Sequence, residues 1–195
     1  MTPIEPDQVA EQVYMAAKAA FSELIRANPQ QSFYAFALFT DDSLQFLHAV
    51  ANTEEALTST VERYRKTVDP KYGCTSTRAG MRWSYGDWEF FPEVGAEHFE
   101  AINKIVRANF DSDQEQFEAG VELLWAAILQ GFQRLEKEGF FGSGAERSKI
   151  TLLAVGHLPS ELVNQWVSAL NPPDVADRFI HWNCDAPDEG QQPHP

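Results

Sequence analysis

The segment from Phe33 to Thr40 places the strongest constraint on the fold of this chain. It reads Phe-Tyr-Ala-Phe-Ala-Leu-Phe-Thr, an unbroken apolar run that favours a strand buried on both faces. Such a strand has to be covered on both sides of its sheet, and helices are the covering elements this sequence supplies. The stretch from Leu44 to Val50 follows turn-forming residues at 41–43 and predicts a second strand in a hairpin.

Helical periodicity recurs along the rest of the chain. Apolar residues repeat at helical spacing between residues 7 and 28, and again from 117 to 135 in the longest predicted helix. Residues 52–55 and 112–115 carry the capping residues and acids of helix starts. The other predicted elements are a helix ending near Val68, a loop over 71–80, a third strand over 82–91 that is broken at Gly86, a strand over 150–155, and helices over 94–110, 160–170 and 172–181.

These elements predict an α+β protein, with a mainly antiparallel sheet of three to five strands packed with helices. The length of 195 residues fits a single domain, which we assign to residues 1–184, followed by a flexible C-terminal tail over 185–195. Two cysteines, Cys74 and Cys184, are too few for a disulfide scaffold. The chain has no apolar run that could span a membrane and no signal-like start, so we expect a cytoplasmic protein without membrane contact.

Net charge limits the partners this chain can bind. It carries 29 acidic and 15 basic residues, a formal charge of −14, and its pI is near 4.7. Such a chain repels the phosphate backbone of nucleic acids, so we expect no nucleic-acid binding. A basic protein partner would instead be attracted and steered toward it. Acidic surfaces also keep cytoplasmic proteins soluble, which is the simpler explanation of the charge.

Charge and aromatic content change abruptly between residues 63 and 91. We call residues 63–82 the basic segment, because it holds six lysines and arginines and a single acid, Asp69. We call residues 81–91 the aromatic segment, since it packs two Trp, one Tyr and two Phe into eleven positions. Where the two segments meet, cationic and aromatic side chains together can bind an anionic or planar ligand. The predicted ligand-binding or partner-binding residues are Arg78, Arg82, Trp83, Ser84, Tyr85 and Trp88.

An alternative explains both segments without a ligand. The Trp rings can pack in the core or at its rim, while the basic residues balance the acidic helices. If this region is a strand, Arg82 and Ser84 lie on one face and Trp83 on the other, so a break at Gly86 is needed to bring Trp83 and Trp88 together. A pocket lined by Arg82 and the Trp rings favours a ligand, whereas fully buried Trp rings favour a structural role.

Catalytic and metal-binding patterns are weak in this sequence. His157 follows a predicted strand, and His181 stands close to Cys184, but the CxxC and HExxH spacings of zinc sites are missing. Cys74 lies in the basic segment, where positive charge lowers a thiol pKa, yet no catalytic base can be assigned to it. The GxSxG motif is missing as well. We therefore predict no catalytic residues, no metal site and no cofactor, and favour a role without catalysis.

Four short motifs, in their order and spacing, resemble a bacterial family known as domain of unknown function 4303. They are the strand at 33–40, the helix start at 52–55, the Arg82-Trp83-Ser84 motif, and the Gly-Phe-Phe-Gly turn at 139–142 after the long helix. The resemblance extends over residues 6–180. At Phe39 the resemblance leads us to expect Tyr in many relatives. It implies a compact bacterial domain, and it brings no catalytic residues with it.

Two functional hypotheses follow from these observations. The first is a non-enzymatic protein-interaction domain, similar to the small acidic immunity proteins that neutralise bacterial toxins, in which exposed aromatic side chains anchor a basic partner. The second is a small-molecule-binding domain or an enzyme that acts on an anionic or aromatic ligand. In that case Arg82 contacts the anion, and Trp83 or Trp88 provides the stacking surface.

Overall fold

A computed structural model describes residues 4–185 of the chain, with side chains through Trp182. These residues form eight α-helices and four strands, and three single-turn 3-10 helices at 70–73, 85–87 and 96–99 link some of them. The elements in chain order are α1 (Pro6–Ala27), β1 (Phe33–Phe39), β2 (His48–Thr53), α2 (Glu54–Thr67), α3 (Thr75–Trp83), β3 (Phe90–Val94), α4 (Glu100–Phe110), α5 (Gln114–Lys137), α6 (Gly144–Arg147), β4 (Thr151–Val155), α7 (Ser160–Leu170) and α8 (Pro173–Asp185).

The four strands form one sheet in the order β3-β2-β1-β4. Strand β2 pairs antiparallel with both β1 and β3, whereas β4 pairs parallel with β1. Two parallel strands can be joined only by a long crossover connection. Between β2 and β4 the chain forms five α-helices, which provide this crossover. The α+β class and the mainly antiparallel sheet that the sequence predicts are both confirmed.

Side chains of β1 are buried on both faces of the sheet, as its unbroken apolar sequence predicts. Phe36 and Leu38 pack into a core cluster with residues of α1, α4 and α5. Ala35 and Ala37 face a second cluster, to which α2, α3, α7 and α8 contribute. Phe36 is 1% exposed, and full burial of a side chain of this size stabilises a fold by about 1.5–3 kcal/mol. Helices therefore cover both faces.

A bulge in β1 breaks the expected alternation at Tyr34. Phe33 pairs with Thr53 and Ala35 pairs with Asn52, so three residues of β1 face two of β2. A bulge redirects the side chain of its extra residue, and Tyr34 consequently joins the cluster of Ala35 rather than that of Phe33. The tyrosine thus faces α3 and the aromatic segment.

Two predicted helix starts are confirmed, one of them with a change of capping residue. Thr53 accepts a hydrogen bond from the N–H of Ala56 at 3.2 Å and begins α2. Asp113 accepts from the N–H of Gln116 at 3.0 Å and begins α5. The cap is therefore Asp113, one residue after the Ser112 of the predicted capping box. Each such cap is worth about 1 kcal/mol.

Helix α5, the longest, crosses α1 at a glycine. A Cβ at Gly131 would lie 2.5 Å from the carbonyl oxygen of Ala10 and 2.9 Å from the Cβ of Val13. Only a residue without a side chain permits the two backbones to come this close. Gly131→Ala would therefore push the two helices apart where they bury the middle of the core.

Most of the sequence-based assignments for residues 71–91 are wrong, although the predicted third strand exists as β3 and overlaps its predicted range at Phe90 and Phe91. The predicted loop over 71–80 and strand over 82–91 are instead a 3-10 turn, helix α3, a second 3-10 turn and β3. Aromatic residues favour strands, but here they pack around the end of a helix, and Met81 is buried in the second cluster. Strand β2 also begins at His48, later than the predicted Leu44. The helix predicted over 94–110 begins at Glu100, because β3 ends at Val94 and the 3-10 turn at 96–99 follows it.

The tail predicted over residues 185–195 lies outside the described residues, except for Asp185, which ends α8. Within residues 4–185, no helix combines the length and the apolar character needed to cross a bilayer.

Candidate functional site

Tyr34 is the point at which the predicted site residues meet. The bulge in β1 directs its side chain toward the end of α3, where it is 2% exposed. The hydroxyl donates to the carbonyl oxygen of Arg82 at 2.7 Å and accepts from the side-chain amide of Asn52 at 2.9 Å. Burial raises the pKa of this phenol well above its ordinary value, so it remains a neutral donor at physiological pH.

Arg82 lies in the last turn of α3 and is already paired. Its Nη2 donates to both carboxylate oxygens of Glu54, the first residue of α2, at 2.6 and 2.7 Å. The guanidinium lies 4.2 Å from the centre of the Tyr34 ring, in cation–π geometry. The side chain keeps 28% of its surface exposed. An anionic ligand would therefore have to compete with the carboxylate of Glu54 for this arginine.

The two tryptophans both contact Tyr34 but differ in exposure. Trp88 is 4% exposed and donates its indole N–H to the carbonyl of Arg82 at 3.0 Å. Trp83 is half-buried, and its ring packs edge-on against Phe179 of α8 at 4.9 Å. The end of α3 therefore brings both rings to one tyrosine. Only Trp83 has an appreciable surface left for stacking.

Ser84 and Tyr85 bond to or pack on partners other than Tyr34. Ser84 donates to Oδ2 of Asp87 at 2.9 Å, and Tyr64 of α2 donates to Oδ1 of the same carboxylate at 2.6 Å. This bond raises the pKa of Tyr64, because the carboxylate favours the protonated phenol. Tyr85 packs its ring 5.9 Å from that of Phe39. Both residues hold the 3-10 turn at 85–87 against the fold.

The positive charges of the basic segment are largely balanced within the protein. Arg78 donates to the hydroxyl of Thr58 at 3.0 Å and lies 3.8 Å from the carboxylate of Glu54. Glu54 therefore joins Arg78 to Arg82. Further ion pairs connect Arg65 with Glu62 at 3.2 Å, Lys71 with Asp69 at 3.5 Å, and Arg63 with Asp87 at 3.9 Å. Acids of α2 and the adjoining turns thus offset this segment, as the alternative without a ligand expects.

Cys74 occupies the N-cap position of α3, and its thiol is free and exposed. The thiol sulfur lies 3.2 Å from the hydroxyl of Ser76 and 3.3 Å from that of Thr77. Hydrogen bonds from Ser76 and then Thr77 lower the pKa of Cys74 to about 7. Helix position and hydroxyl contacts, rather than the basic residues of the segment, thus favour the thiolate.

Sequence reasoning missed an acidic surface on α5. Between Arg107 and Arg134 the chain has five acids and neither lysine nor arginine. Three exposed glutamates of this stretch repeat at i, i+3 and i+7 and share one side of the helix. Leu123, which is 45% exposed, follows Glu122 and lies roughly 100° farther round the helix, at the edge of this side. We call this surface the acidic face, and it consists of Glu115, Glu118, Glu122 and Leu123. The long stretch without a basic residue was the signal that could have revealed it.

The negative charges of the glutamates on the acidic face are not balanced by ion pairs with the described part of the chain. None of the three forms an ion pair with any residue that the structure describes, although Glu118 accepts from the side-chain amide of Gln114 at 2.9 Å. Their charges are therefore directed to solvent, in contrast to the paired charges of the basic segment.

Side chains of metal-ligand type come together outside both segments. Glu23 of α1 lies close to Glu97 and His98 of the 3-10 turn at 96–99. His157, which the sequence singles out after a strand, lies exposed in the loop that follows β4.

Comparison with protein-family models matches most of the chain. Residues 13–172 match the family model described as Domain of unknown function (DUF4303). Neither the curated proteins nor the solved structures contain a match to the chain. A fold alone does not imply a function, so the function has to be argued from the surfaces described above.

Proposed function

The chain belongs to the DUF4303 family, and for this member we propose a non-enzymatic role as a protein-interaction domain of the immunity-protein type. Its partner is a basic protein that docks on the acidic face. The observation that carries the proposal is the row of exposed, unneutralised carboxylates at Glu115, Glu118 and Glu122, with the exposed apolar side chain of Leu123 at its edge.

Charge and apolar surface contribute to such a contact in different ways. Clustered carboxylates steer a basic partner during diffusional encounter, and they raise the association rate by about 10- to 1000-fold at low ionic strength. An apolar side chain at the centre of the contact loses its water and contributes to the lifetime of the complex. The acidic face offers both features on one helix, which packing of α5 against α1 holds in place.

We also infer a cytoplasmic location. The exposed thiol of Cys74 is unpaired, and exposed free thiols persist in reducing compartments. A reducing compartment also agrees with the low cysteine content of the chain.

The proposal is tested with two variants of equal net charge. The first carries Glu115→Gln, Glu118→Gln and Glu122→Gln, and the second carries the same change at three exposed glutamates elsewhere, Glu5, Glu89 and Glu161. A stoichiometric basic partner is first captured from native lysate with the unaltered chain and then purified. Association rates of the partner with all three proteins are measured at several salt concentrations.

We expect the variant of the acidic face to associate roughly tenfold or more slowly at low salt, with a flatter salt dependence. The matched control should associate almost as fast as the unaltered chain. Equal losses in both variants would assign the effect to net charge alone, and unchanged rates would place the contact elsewhere. Either result, or the lack of any stoichiometric partner, would contradict the proposal.

A second candidate function rests on the partial exposure of Arg82 and Trp83. In this case a small anionic or aromatic ligand displaces Glu54 from Arg82 and stacks on Trp83, near Trp88. Indole fluorescence measured against a panel of anionic metabolites tests the idea. A ligand should shift the spectrum of the unaltered chain, and Arg82→Gln should abolish the shift. A spectrum unchanged by every ligand would count against it.

A further inference from the structure

We propose that Glu23, Glu97 and His98 bind a divalent transition-metal ion, and that zinc fits this donor set best. Glu23 comes from α1, while Glu97 and His98 come from the 3-10 turn that precedes α4. One ligand atom of each residue lies within 4.8 Å of the other two. An imidazole with two carboxylates is a donor set of zinc and of related first-row metals. The proposal does not depend on the acidic face.

The two distances from the imidazole nitrogen to the carboxylates are close to those around a tetrahedral ion. Zinc binds imidazole nitrogen and carboxylate oxygen at about 2.0–2.2 Å, which places two tetrahedral ligand atoms roughly 3.4 Å apart. Nε2 of His98 lies 3.1 Å from the nearer carboxylate oxygen of Glu23 and 3.9 Å from that of Glu97. The glutamates are 51% and 67% exposed, so rotation of their side chains can complete the coordination shell.

The imidazole nitrogen itself points to a missing partner. Nε2 of His98 is shielded from solvent, and the residues that the structure describes offer it no hydrogen bond. Its short distance to Glu23 is that of an ion pair, but the geometry is not that of a hydrogen bond. An ion pair between His98 and Glu23 explains the short distance, but it leaves Nε2 of His98 without a hydrogen-bond partner among the described residues. A metal ion accounts for both observations, because it uses the lone pair of the nitrogen.

The backbone holds the histidine in this position. Gly95, with φ of +57°, begins the turn, and a Cβ there would lie 2.7 Å from that of Ala20 and 3.0 Å from Cδ2 of His98. Ala20 and Glu23 are three residues apart on α1 and so lie on one side of the helix. Phe99 is fully buried and fixes the other end of the turn. The close approach of Gly95 to α1 thus places His98 beside Glu23, on rigid elements as a metal site requires.

Three protein ligands leave a coordination position for water or a small ligand. Glu97 also lines a cleft of about 400 Å³, whose other residues include Lys104 and Arg107. An ion held by Glu97 therefore borders a cleft with two cationic side chains. A small anion can occupy the open position.

The experiment measures zinc binding to the metal-free full-length chain. All proteins carry Cys74→Ser, because the exposed thiol of Cys74 would bind zinc on its own. Calorimetry with zinc chloride gives affinity and stoichiometry, and cobalt(II) absorption reports the coordination geometry. We expect one ion per chain, and removal of a ligand by Glu23→Gln, Glu97→Gln or His98→Gln should weaken binding at least 10- to 100-fold.

A histidine without a role in the site provides the matched control. His157→Gln changes an exposed loop histidine and should leave zinc affinity unchanged. No binding by the starting protein would overturn the proposal, and so would binding that survives Glu23→Gln and Glu97→Gln. Both glutamates are exposed, so these variants remain informative if His98→Gln fails to fold. Competition by magnesium as strong as that by zinc would also overturn it, since imidazole selects transition metals.

Discussion

Replacing Tyr34 with Phe tests whether the bulge in β1 supports the end of α3. The substitution removes only the hydroxyl, which donates to the carbonyl of Arg82 and accepts from the amide of Asn52. The Arg82 carbonyl keeps its bond from the indole of Trp88. The side-chain amide of Asn52 loses its acceptor, in a residue that is 2% exposed.

Two contributions set the size of the effect. A typical intramolecular hydrogen bond contributes about 0.5–1.5 kcal/mol, and a buried donor left without a partner costs about 1–3 kcal/mol. We therefore expect Tyr34→Phe to lower the free energy of unfolding by about 2 kcal/mol. In a chain of this length, that corresponds to a decrease of roughly 4–8 °C in Tm.

Urea unfolding, followed by circular dichroism at pH 7, measures this difference. The control is Tyr72→Phe, since Tyr72 is half-buried, packs on Tyr64 and carries its hydroxyl outside any bond among the described residues. The control should change stability by less than about 0.5 kcal/mol. An equal, small loss in both variants would refute the reasoning. A changed dependence on urea concentration would instead indicate an altered unfolded or native state.

Two further predictions concern Cys74 and a glycine beside β1. Because its pKa is lowered to about 7, Cys74 should be alkylated by iodoacetamide at half its maximal rate near pH 7, and Ser76→Ala should move this midpoint to higher pH. Peptide mapping follows the alkylation. A midpoint above pH 8 in the unaltered chain would contradict this prediction. Gly156→Ala should destabilise the fold by more than about 3 kcal/mol, because φ is +134° and the new Cβ would meet the carbonyl oxygen of Thr40 at 1.7 Å. Gly139→Ala, where φ is +76° and the surrounding space is open, should cost only about 1 kcal/mol in the same urea titration.

Strong periodicity is what makes much of this fold predictable from its sequence. The helices α1, α5 and α7 repeat apolar residues over several turns, so burial of one stripe determines their structure. Strand β1 is apolar at every position, and β4 at every position after Thr151, which also predicts the helices on both faces. In each of these elements the spacing of apolar residues along the chain agrees with which of their side chains are buried in the fold.

Helix α3 could not be predicted in this way. Its first residues are Thr, Ser and Thr, it contains Gly80, and it has only nine residues, so local propensity is poor. Contacts from elsewhere hold it, including the ion pair of Arg82 with Glu54 and the burial of Met81. Strand β2 differs from its prediction for a similar reason, since Asn103 of α4 bonds to both backbone groups of Leu47 and holds this residue outside the sheet.

The candidate sites differ in how far the sequence could reveal them. Spacing cannot bring Glu23 together with His98, because 74 other positions separate them and only the tertiary fold makes them neighbours. The bulge that directs Tyr34 toward Arg82 leaves no pattern in the apolar run of β1. The acidic face, by contrast, is visible as a long stretch without lysine or arginine, and only its exposure had to come from the structure.

The parallel pairing of β1 with β4 has a consequence during synthesis of the protein on the ribosome. Ala35 pairs with Thr151, 116 positions later in the chain, and ribosomes add roughly 5–20 residues per second. The edge of β1 that pairs with β4 therefore remains unpaired for roughly 6–23 s after β1 has been synthesised. An uncovered apolar strand edge is a template for aggregation. The nascent chain is thus most vulnerable until its last quarter emerges, and synthesis that stops before β4 leaves an aggregation-prone fragment rather than a smaller fold.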